Sequence, residues 1–410
     1  MVLVLKFGGT SVADVNKIRN VAKIVASYIN SGKKIVVVVS AMAGVTNTLV
    51  EYVNSFDKAS DNLDEYDVVV SSGEQVTVGL MVLALKEIGI NARSFLGWQI
   101  PITTDLHYGV AKINKIKTNF LLNSLKYNII PVIAGFQGIS SENKVTTLGR
   151  GGSDTSAVAI ANVLKAEACY IYTDVDGVYT ADPKIVKNAR KLKTVSFEEM
   201  LELANLGAKV LQTRSVELAM NNKVKLYVLS SFENVEGTYI VDRKEDMEQS
   251  LIKGIVLIKN QVLVTLQKLN SMDDLSCLLL EIAKARIDID MVQTIFNDIN
   301  GVNVYFSISV NDEKKFNVMI QKLETLIKYE KISFKKDVSK LSLVGVGIKD
   351  NSDILQKVFN VVKVNNSVIY GISKTEIKIS MIVDSVNVDK LANDLHDSCN
   401  LGDSNVKVGM

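Results

Sequence analysis

Apolar, β-branched runs that stop at small-residue loops constrain the fold more than any other feature of this sequence. Residues 2–7 and 34–40 are two such runs, which end at Gly8-Gly9-Thr10 and at the loop 41–47. A helical segment follows each loop, and the same order recurs as far as residue 229. Near-continuous apolar strands that alternate with helices are typical of an α/β fold, in which helices sandwich a mostly parallel sheet. We expect strands at 2–7, 34–40, 91–96, 128–135, 168–173 and 224–229, with helices from Ser11 (as the cap) to 31, at 74–89, 112–126, from 153, at 197–205 and at 207–220.

The pattern changes after about residue 230, where proline is absent and the repeating units are shorter. Two units of about 70 residues each follow the order strand, helix, strand, strand, helix, strand, which is typical of a ferredoxin-like βαββαβ module in tandem. We predict a catalytic domain at 1–235, a charged linker at 236–254, and modules at 255–338 and 339–410. The expected strands are 255–267, 287–293, 302–310, 332–337, 341–347, 367–371, 376–383 and about 404–408, and the expected helices are 272–285, 313–329, 352–365 and 387–398.

Composition excludes several classes of protein. A hydrophobic fraction of 47% and a charged fraction of 22% are ordinary for globular proteins. The net charge of +2, without a clustered basic face, argues against a nucleic-acid partner. Three widely spaced cysteines, Cys169, Cys277 and Cys399, form neither a disulfide framework nor a zinc site and predict a cytoplasmic location. The longest apolar stretch, 35–45, is too short to span a membrane, so no membrane partner is expected.

Glycine-bearing loops at the expected strand ends indicate a phosphate-binding site. They are 6–11, 40–44, 72–74, 135–138 and 147–154. Glycine lets backbone N–H groups approach an anion closely, and the carboxyl ends of parallel strands meet at one edge. Tight turns without a ligand are the alternative for any single loop. The P-loop motif is absent, and Asp154 stands where a dinucleotide-binding loop needs its third glycine, so both of those folds are excluded.

Charged residues in these loops indicate the kind of phosphoryl transfer. The two histidines, His107 and His396, lie far from the glycine loops, which argues against histidine acid–base catalysis. A carboxylate acceptor is already ionised at neutral pH and needs no general base, so catalysis reduces to alignment and charge neutralisation. Lys6, Lys209 and the backbone amides of Gly8 and Gly9 are the candidates for that work.

Arg150 and Glu74 are the candidate substrate-binding residues. The chain has only 7 arginines beside 40 lysines, so an arginine between two glycines indicates bidentate carboxylate binding. Glu74, at a helix start, either favours the helix dipole or holds a substrate ammonium. Together the two side chains would recognise both charges of an α-amino acid.

Seven motifs occur in a fixed order along the chain. They are KFGGTSV (6–12), VSAMAGVTN (39–47), SGE (72–74), GFQG (135–138), TLGRGGSDTSA (147–157), TDVDGVYTADP (173–183) and KVLQTRSVEL (209–218). On these motifs the sequence resembles the monofunctional aspartate kinases. The resemblance implies the amino-acid-kinase fold followed by two ferredoxin-like ACT modules. It also implies transfer of the ATP γ-phosphoryl group to the side-chain carboxylate of L-aspartate, the first step of lysine, threonine and methionine biosynthesis.

The resemblance also implies roles for individual residues. Lys6 and Gly9 would contact the transferring phosphoryl group, Lys209 would lie near the nucleotide phosphates, and Asp154 would orient the lysines. Aspartate would be held by Ser40, Thr46, Glu74 and Arg150, and the nucleotide by Lys6, Gly8, Gly9, Thr173, Asp174, Tyr179, Lys184 and Lys209. Mg²⁺ is expected to bridge the ATP phosphates mainly through water, without a protein ligand set of its own. The chain departs from many relatives at Gln212-Thr213, where they have His-Pro, and at Lys184, where they have Arg.

ACT modules imply regulation by a feedback amino acid, lysine or threonine, and a homodimer or dimer of dimers. SKTEIKIS (373–380) carries the resemblance of the second module, whereas the first module is less typical at 293–296. We select Met272, Asp274 and Asp290 as effector-binding residues, although an aspartate at a helix start is usually a cap. Two alternatives stay open: a kinase of the same fold that acts on glutamate or acetylglutamate, and a non-catalytic amino-acid sensor.

Overall fold

Two compact units make up the part of the chain that the computed structural model describes, residues 1–58, 61–208, 210–242, 251–297, 301–349 and 351–402. The first unit contains the described residues up to 242, except 179–190. The second unit contains 179–190 and the described residues from 251 onward. The segment 179–190 therefore packs with the second unit, although it interrupts the sequence of the first.

A mostly parallel sheet forms the centre of the first unit, as the alternation of strands and helices predicts. In chain order the elements are β1 (Val2–Phe7), α1 (Val15–Asn30), β2 (Lys34–Val39), α2 (Val45–Asn54), α3 (Leu63–Val70), α4 (Ser72–Glu87), β3 (Ala92–Phe95), β4 (Ile102–Thr104), β5 (Ile113–Ile116), α5 (Asn119–Lys126), β6 (Ile130–Ala134), β7 (Gln137–Ile139), β8 (Val145–Thr147), α6 (Gly152–Val163), β9 (Ala168–Thr173), β10 (Thr194–Ser196), α7 (Phe197–Asn205), α8 (Thr213–Asn222), β11 (Leu226–Ser230) and β12 (Thr238–Val241). The main sheet has the order β10-β12-β11-β9-β1-β2-β6-β3.

Parallel pairing from β11 through to β3 places the carboxyl ends of these strands along one edge. Leu5 pairs with Val37 on one side of β1 and with Tyr170 on the other. Every residue of β1 from Leu3 to Phe7 is buried, since helices cover both faces of the sheet. The strand β12, which runs antiparallel to β11, lies inside the segment that the sequence predicts as a linker.

A second, smaller sheet corrects the expected helix at 112–126. Residues Ile113–Ile116 form β5 in a four-stranded sheet of order β5-β4-β7-β8, and the helix α5 begins only at Asn119. The spacing of Ile113 and Ile116 fits a helical period as well as an edge strand. Pairing of Ile116 with Ile102 decides the matter, because tertiary context overrides local pattern.

The start of α1 also differs from the expectation. Asp14 is the N-cap, and its side chain accepts a hydrogen bond from the backbone N–H of Lys17 at 2.8 Å. Ser11 is instead buried in the glycine turn, where its backbone N–H donates to Gly8 O at 2.9 Å. The turn after β1 is therefore longer than predicted.

The helical stretch Leu63–Glu87 is long and apolar enough to cross a membrane by length and composition alone, with a mean hydropathy of 1.7. It contains α3 and α4, and 56% of its apolar window is buried. It also turns two carboxylates, Asp67 and Glu74, into the interior. These features are those of a core helix pair.

In its described residues, the second unit contains a six-stranded sheet with helices packed against it. Its elements are β13 (Gly254–Leu269), α9 (Met272–Lys284), β14 (Ile289–Asn297), β15 (Gly301–Ser309), α10 (Glu313–Leu323), β16 (Lys331–Val344), α11 (Ser352–Val364), β17 (Ile369–Lys374), β18 (Lys378–Asp384) and α12 (Val388–Ser398). The strand order is β14-β15-β13-β16-β18-β17. The expected strands 332–337 and 341–347 are one long strand, β16, which bends near Asp337 where φ is 54°. The expected strand at 404–408 lies outside the described residues.

The two hydrophobic cores of the second unit do not coincide with the two modules predicted at 255–338 and 339–410. One core is contiguous in the chain and contains residues from Val262 to Phe334. The other combines Ile252 and Ile255 with residues from Leu341 to Leu401, and it also includes Ala181 and Val186. The first half of β13 thus packs with the second module, and the first module is inserted between its strands.

Candidate active site

A cavity of about 760 Å³ opens in the first unit where the glycine loops after β1 and β2 meet the loop before α6. Glycines at 8, 9, 149, 151 and 152 line it, so backbone amides form much of its wall. Most of the predicted site residues contribute to this one cavity. They are Lys6, Gly8, Gly9, Ser40, Thr46, Glu74, Arg150, Asp154 and Thr173.

Lys6 and Asp154 form an ion pair at the floor of the cavity. Lys6 Nζ lies 2.5 Å from Asp154 Oδ1, and each side chain is about nine-tenths buried. Asp154 lies in the first turn of α6, where the helix dipole stabilises a negative charge. The ammonium group of Lys6 is thereby held near Gly9, whereas the backbone N–H of Gly8, which the sequence also selects, donates to Tyr172 O at 3.0 Å. That arrangement suits neutralisation of charge on a phosphoryl group.

Close packing explains why glycine follows β1. A Cβ atom on Gly9 would lie 2.9 Å from the carbonyl oxygen of Ala41, too close for any other residue. The loops after β1 and β2 can approach each other only because Gly9 lacks a side chain. Their contact forms one wall of the cavity.

Glu74 is buried at the start of α4, with only 3% of its surface exposed. The backbone N–H of Ala41 donates to Glu74 Oε1 at 3.0 Å, whereas Oε2 is buried without a hydrogen-bond partner among the described residues. Burial raises the pKa of Glu74 from its ordinary value of 4.5 to about 7. A buried carboxylate oxygen that is left unpaired at a cavity wall is suited to accept hydrogen bonds from a cationic ligand.

Arg150 lies on the loop before α6 and is exposed, and its guanidinium has no ion pair or hydrogen bond within the described part of the chain. Gly149 and Gly151 on either side adopt left-handed conformations with φ values of 76° and 65°. Arg150 and Glu74 thus supply a guanidinium and a carboxylate to one cavity. Such a pair of opposite charges suits a zwitterionic amino acid.

Other predicted nucleotide-binding residues do not line this cavity. Asp174 is exposed and accepts a hydrogen bond from the hydroxyl of Thr173 at 3.0 Å. Tyr179 and Lys184 belong to the segment 179–190 of the second unit, and Lys184 is exposed. Lys209 lies outside the described residues. Their roles remain predictions.

Some residues of the cavity were not predicted from the sequence. Tyr66, Phe136 and Gln212 line it together with the expected side chains. Phe136, in the GFQG motif, has a φ of 68°, which is unusual for an aromatic residue and cannot be read from the sequence. A Cβ atom on Gly151 would lie 2.0 Å from Gln212 Cγ, so Gln212 packs directly against the loop of Arg150. For Gln212, the departure from the family pattern was a sequence feature that could have indicated a place in the cavity.

The predicted effector-binding residues lie in the second unit at two places. Met272 is exposed in the first turn of α9, and the backbone N–H of Asp274 donates to the side chain of Ser271, which is the N-cap. Asp290, on β14, forms an ion pair with Lys340 of β16, which is only 2% exposed. Burial alone would raise the pKa of Asp290, but the ammonium group of Lys340 holds it below its ordinary value. The carboxylate of Asp290 therefore already has a cationic partner.

Comparisons with known proteins agree on one family. A profile of the amino acid kinase family matches residues 1–230, and an ACT-domain profile matches 341–398. The chain is 42% identical over 407 residues to an aspartokinase of Bacillus sp. strain MGA3, covering 99% of this chain and 98% of that protein. It is 41% identical over 403 residues to aspartokinase 2 of Bacillus subtilis strain 168, covering 97% and 98%.

Solved structures show the same likeness. The crystal structure of E. coli aspartokinase III in complex with aspartate and ADP matches with a TM-score of 0.79 at 25% identity, covering 97% of this chain and 99% of that one. The same enzyme in complex with lysine and aspartate, in its T state, matches with the same values.

Proposed function

The chain belongs to the aspartokinases of the amino acid kinase family, and from that premise we propose that it phosphorylates L-aspartate with ATP. The γ-phosphoryl group moves to the side-chain carboxylate and gives 4-phospho-L-aspartate and ADP. This reaction is the first step of lysine, threonine and methionine biosynthesis. The observation that carries the choice of substrate is the buried, unpaired Glu74 Oε2 in the same cavity as Arg150 and the Lys6–Asp154 pair.

Glu74 and Arg150 bind the amino-acid end of the substrate. The α-ammonium group donates to Glu74 Oε2, which supplies the missing partner of that buried oxygen. The α-carboxylate accepts two parallel hydrogen bonds from the Arg150 guanidinium. Ser40 and Thr46, which line the cavity after β2, hold the remaining polar atoms of aspartate. These four contacts leave the side-chain carboxylate free to react.

Lys6 and Gly9 act on the transferring group, and Gly8 lines the cavity next to them. One oxygen of the substrate carboxylate forms a bond to the γ-phosphorus while the bond from that phosphorus to the leaving oxygen of ADP breaks. Lys6 and the amide of Gly9 neutralise the charge that spreads over the phosphoryl oxygens, since the N–H of Gly8 is already donated to Tyr172 O. Asp154 orients the ammonium group of Lys6, at 2.5 Å. We assign Lys209 to the nucleotide phosphates from its motif alone.

The nucleotide is assigned to Thr173, Asp174, Tyr179 and Lys184 on the basis of the motif that carries them. Mg²⁺ would neutralise charge on the ATP phosphates. Within the described residues, no group of three or more acidic, histidine or cysteine side chains converges to hold a metal ion. We infer from the resemblance that the metal ion arrives on the nucleotide and is held by phosphates and water.

We propose that an end-product amino acid, lysine, inhibits the enzyme by binding to the ACT modules near Met272, Asp274 and Asp290. A homodimer or dimer of dimers through those modules is also proposed. The E. coli relative was crystallised with lysine in its T state, which supports the choice of lysine. The described cysteines are all free thiols, which supports a cytoplasmic location.

Trapping the acyl phosphate with hydroxylamine tests the function directly. The full-length protein is incubated with ATP, Mg²⁺ and one candidate acid, and the hydroxamate is measured with and without lysine or threonine. We expect hydroxamate from aspartate and a lower yield in the presence of lysine.

Each other result supports a different function. Hydroxamate from glutamate or N-acetylglutamate instead of aspartate would identify a sibling kinase of the same fold. Binding of an amino acid without any phosphoryl transfer would identify a sensor.

A further inference from the structure

We propose that Asp67 and Arg214 are positioning residues for the amino-acid substrate, because they hold the pair of loops that presents Arg150. The inference rests on the proposed function in one respect, that Arg150 binds the α-carboxylate of the substrate. Neither Asp67 nor Arg214 is among the residues that would contact substrate. Their hydrogen bonds instead go to the two loops next to Arg150.

Asp67 joins two loops that are distant in the sequence. It lies on α3 and is fully buried. Both of its carboxylate oxygens accept from the backbone N–H of Gly109 at 3.0 Å, Oδ2 accepts from the N–H of Thr147 at 2.8 Å, and Oδ1 accepts from the hydroxyl of Thr147 at 2.5 Å. Burial raises the pKa of Asp67, and these hydrogen bonds oppose the increase. Every contact needs an acceptor, which a carboxylate supplies on both oxygens.

Arg214 binds the same two loops as Asp67 does, through its guanidinium group. It lies in the first turn of α8, where Nη1 donates to the carbonyl of Leu148 at 2.6 Å and Nη2 donates to the carbonyl of Ala111 at 2.7 Å. Burial lowers the pKa of its guanidinium, yet an arginine stays charged in a protein. The rigid fork of a guanidinium can reach two carbonyls at once, which an ammonium group cannot do in the same geometry.

The two loops are also in direct contact, so that movement of one moves the other. The backbone N–H of Ala111 donates to Thr147 O at 2.8 Å. A Cβ atom on Gly149 would lie 3.2 Å from the carbonyl oxygen of Gly109. The chain then reaches Arg150 two residues after Leu148, the last residue gripped by Arg214.

The position of Arg150 depends on the contacts that Asp67 and Arg214 make with these two loops. Its own side chain is exposed and forms no hydrogen bond or ion pair with the residues that the structure describes. The glycines on either side give the local backbone wide conformational freedom. The guanidinium of Arg150 can bind a carboxylate bidentately only if the backbone that carries it is fixed, and Asp67 and Arg214 fix it.

Arg214→Lys and Asp67→Asn test the proposal in the full-length protein. In Arg214→Lys one of the two carbonyls loses its donor, and in Asp67→Asn an NH₂ group faces backbone N–H groups. We expect the KM for aspartate to rise about tenfold or more in each variant, while the KM for ATP changes less than twofold. Arg19→Lys and Asp64→Asn are matched controls, because Arg19 pairs with the exposed Glu87 and Asp64 pairs with Lys144 at the surface. Both controls should keep the wild-type KM values.

Hydrogen–deuterium exchange of the substrate-free protein gives a readout that does not depend on activity. Peptides that cover 107–111 and 147–152 should exchange at least about tenfold faster in the two variants than in the wild type or the controls. If the wild-type protein forms no hydroxamate from aspartate, the proposed function fails. The exchange measurement then decides by itself whether Asp67 and Arg214 hold the two loops. Unchanged exchange, or equal increases in both KM values, would overturn the inference. If Asp67→Asn does not fold, Arg214→Lys carries the same test.

Discussion

Replacing Glu74 by glutamine should make the free enzyme more stable and at the same time impair its binding of aspartate. Burial raises the pKa of Glu74 from 4.5 to about 7, which corresponds to a cost of about 3 kcal/mol for holding the ionised carboxylate at pH 8, at about 1.36 kcal/mol for each pH unit. Glutamine has no such cost, and its Oε1 can still accept from Ala41. In the folded protein the wild-type carboxyl group stays protonated up to about pH 7, whereas in the unfolded chain it ionises above pH 4.5. The stabilising effect of the substitution is therefore absent below about pH 4.5, grows between pH 4.5 and 7, and is complete above pH 7.

Binding of the substrate should change in the opposite sense. Loss of a charged partner for the buried ammonium group costs about 3 kcal/mol, so the KM for aspartate should rise about a hundredfold in Glu74→Gln. In the wild type, kcat/KM for aspartate should fall about tenfold for each pH unit below about 7, because only the ionised carboxylate binds the ammonium group. The variant should lose this pH dependence.

Thermal unfolding at pH 5 and pH 8, together with steady-state kinetics, measures both effects. A unit of this size gains about 2–4 °C in Tm for each kcal/mol, so a difference of several degrees at pH 8 is expected, most of which disappears at pH 5. Glu87→Gln on the same helix is the matched control, because Glu87 is exposed and pairs with Arg19. A variant that is less stable than wild type at pH 8, or that raises the KM values for ATP and aspartate equally, would refute the reasoning.

Three further substitutions have distinct expected results. Arg150→Lys should raise the KM for aspartate by about 10- to 100-fold, since lost bidentate pairing costs about 1.5–3 kcal/mol; an equal rise in the KM for ATP would remove Arg150 from the aspartate site. Asp154→Asn should lower kcat by about 10²- to 10³-fold with little change in either KM, because the ammonium group of Lys6 loses its buried partner; an unchanged kcat contradicts that role. Asp290→Ala should destabilise the second unit by about 2–3 kcal/mol in a denaturant titration, a value at the lower end for a broken buried pair because Asp290 is half exposed. Adding Lys340→Met should restore most of that loss, and no recovery would show that the ion pair is not the cause.

The sequence predicts the strands of the parallel sheet well, because they are apolar runs bounded by polar or small residues, as in β1 and β6, which glycine follows directly. Lys6, Glu74 and Asp154 line one cavity, as the sequence predicts, and their roles in it stay predictions. Only Lys6 among these three lies at the end of a strand of the parallel sheet, because Glu74 follows α3 and Asp154 follows β8 of the smaller sheet. Local pattern failed where tertiary pairing decides, as in β5, whose two isoleucines fit two periods. Asp67 could not be identified as a loop-holding residue, because its partners at Gly109 and Thr147 are far away in the sequence.

The division of the second unit was predictable in its elements but not in its packing. Two βαββαβ units are visible in the sequence, and their helices begin within one residue of the expected positions, although α10 ends at Leu323, six residues before its expected end. The sequence predicts β13 as one strand but β16 as two, and nothing local indicates that each strand bends and contributes one half to each core. The bends coincide with Asn260 and Asp337, whose φ values of 58° and 54° belong to the left-handed region. Aspartate and asparagine tolerate that region, but they occur at too many other positions to serve as a signal.

The nested arrangement of the two cores sets an order in which the chain can acquire its structure. The core at 262–334 is contiguous and can form as soon as those residues are available. The other core must bring Ile255 to Leu343, which by itself means closing a loop of roughly 90 residues at an entropic cost of about 4 kcal/mol. Once the inserted module has folded, Gln261 is already paired with Val338, and only a few residues on each side remain to be joined. Folding of the inserted module therefore shortens the loop that the second core has to close. A substitution that slows folding of the first module should then also delay formation of the second, even where the two share no side-chain contact.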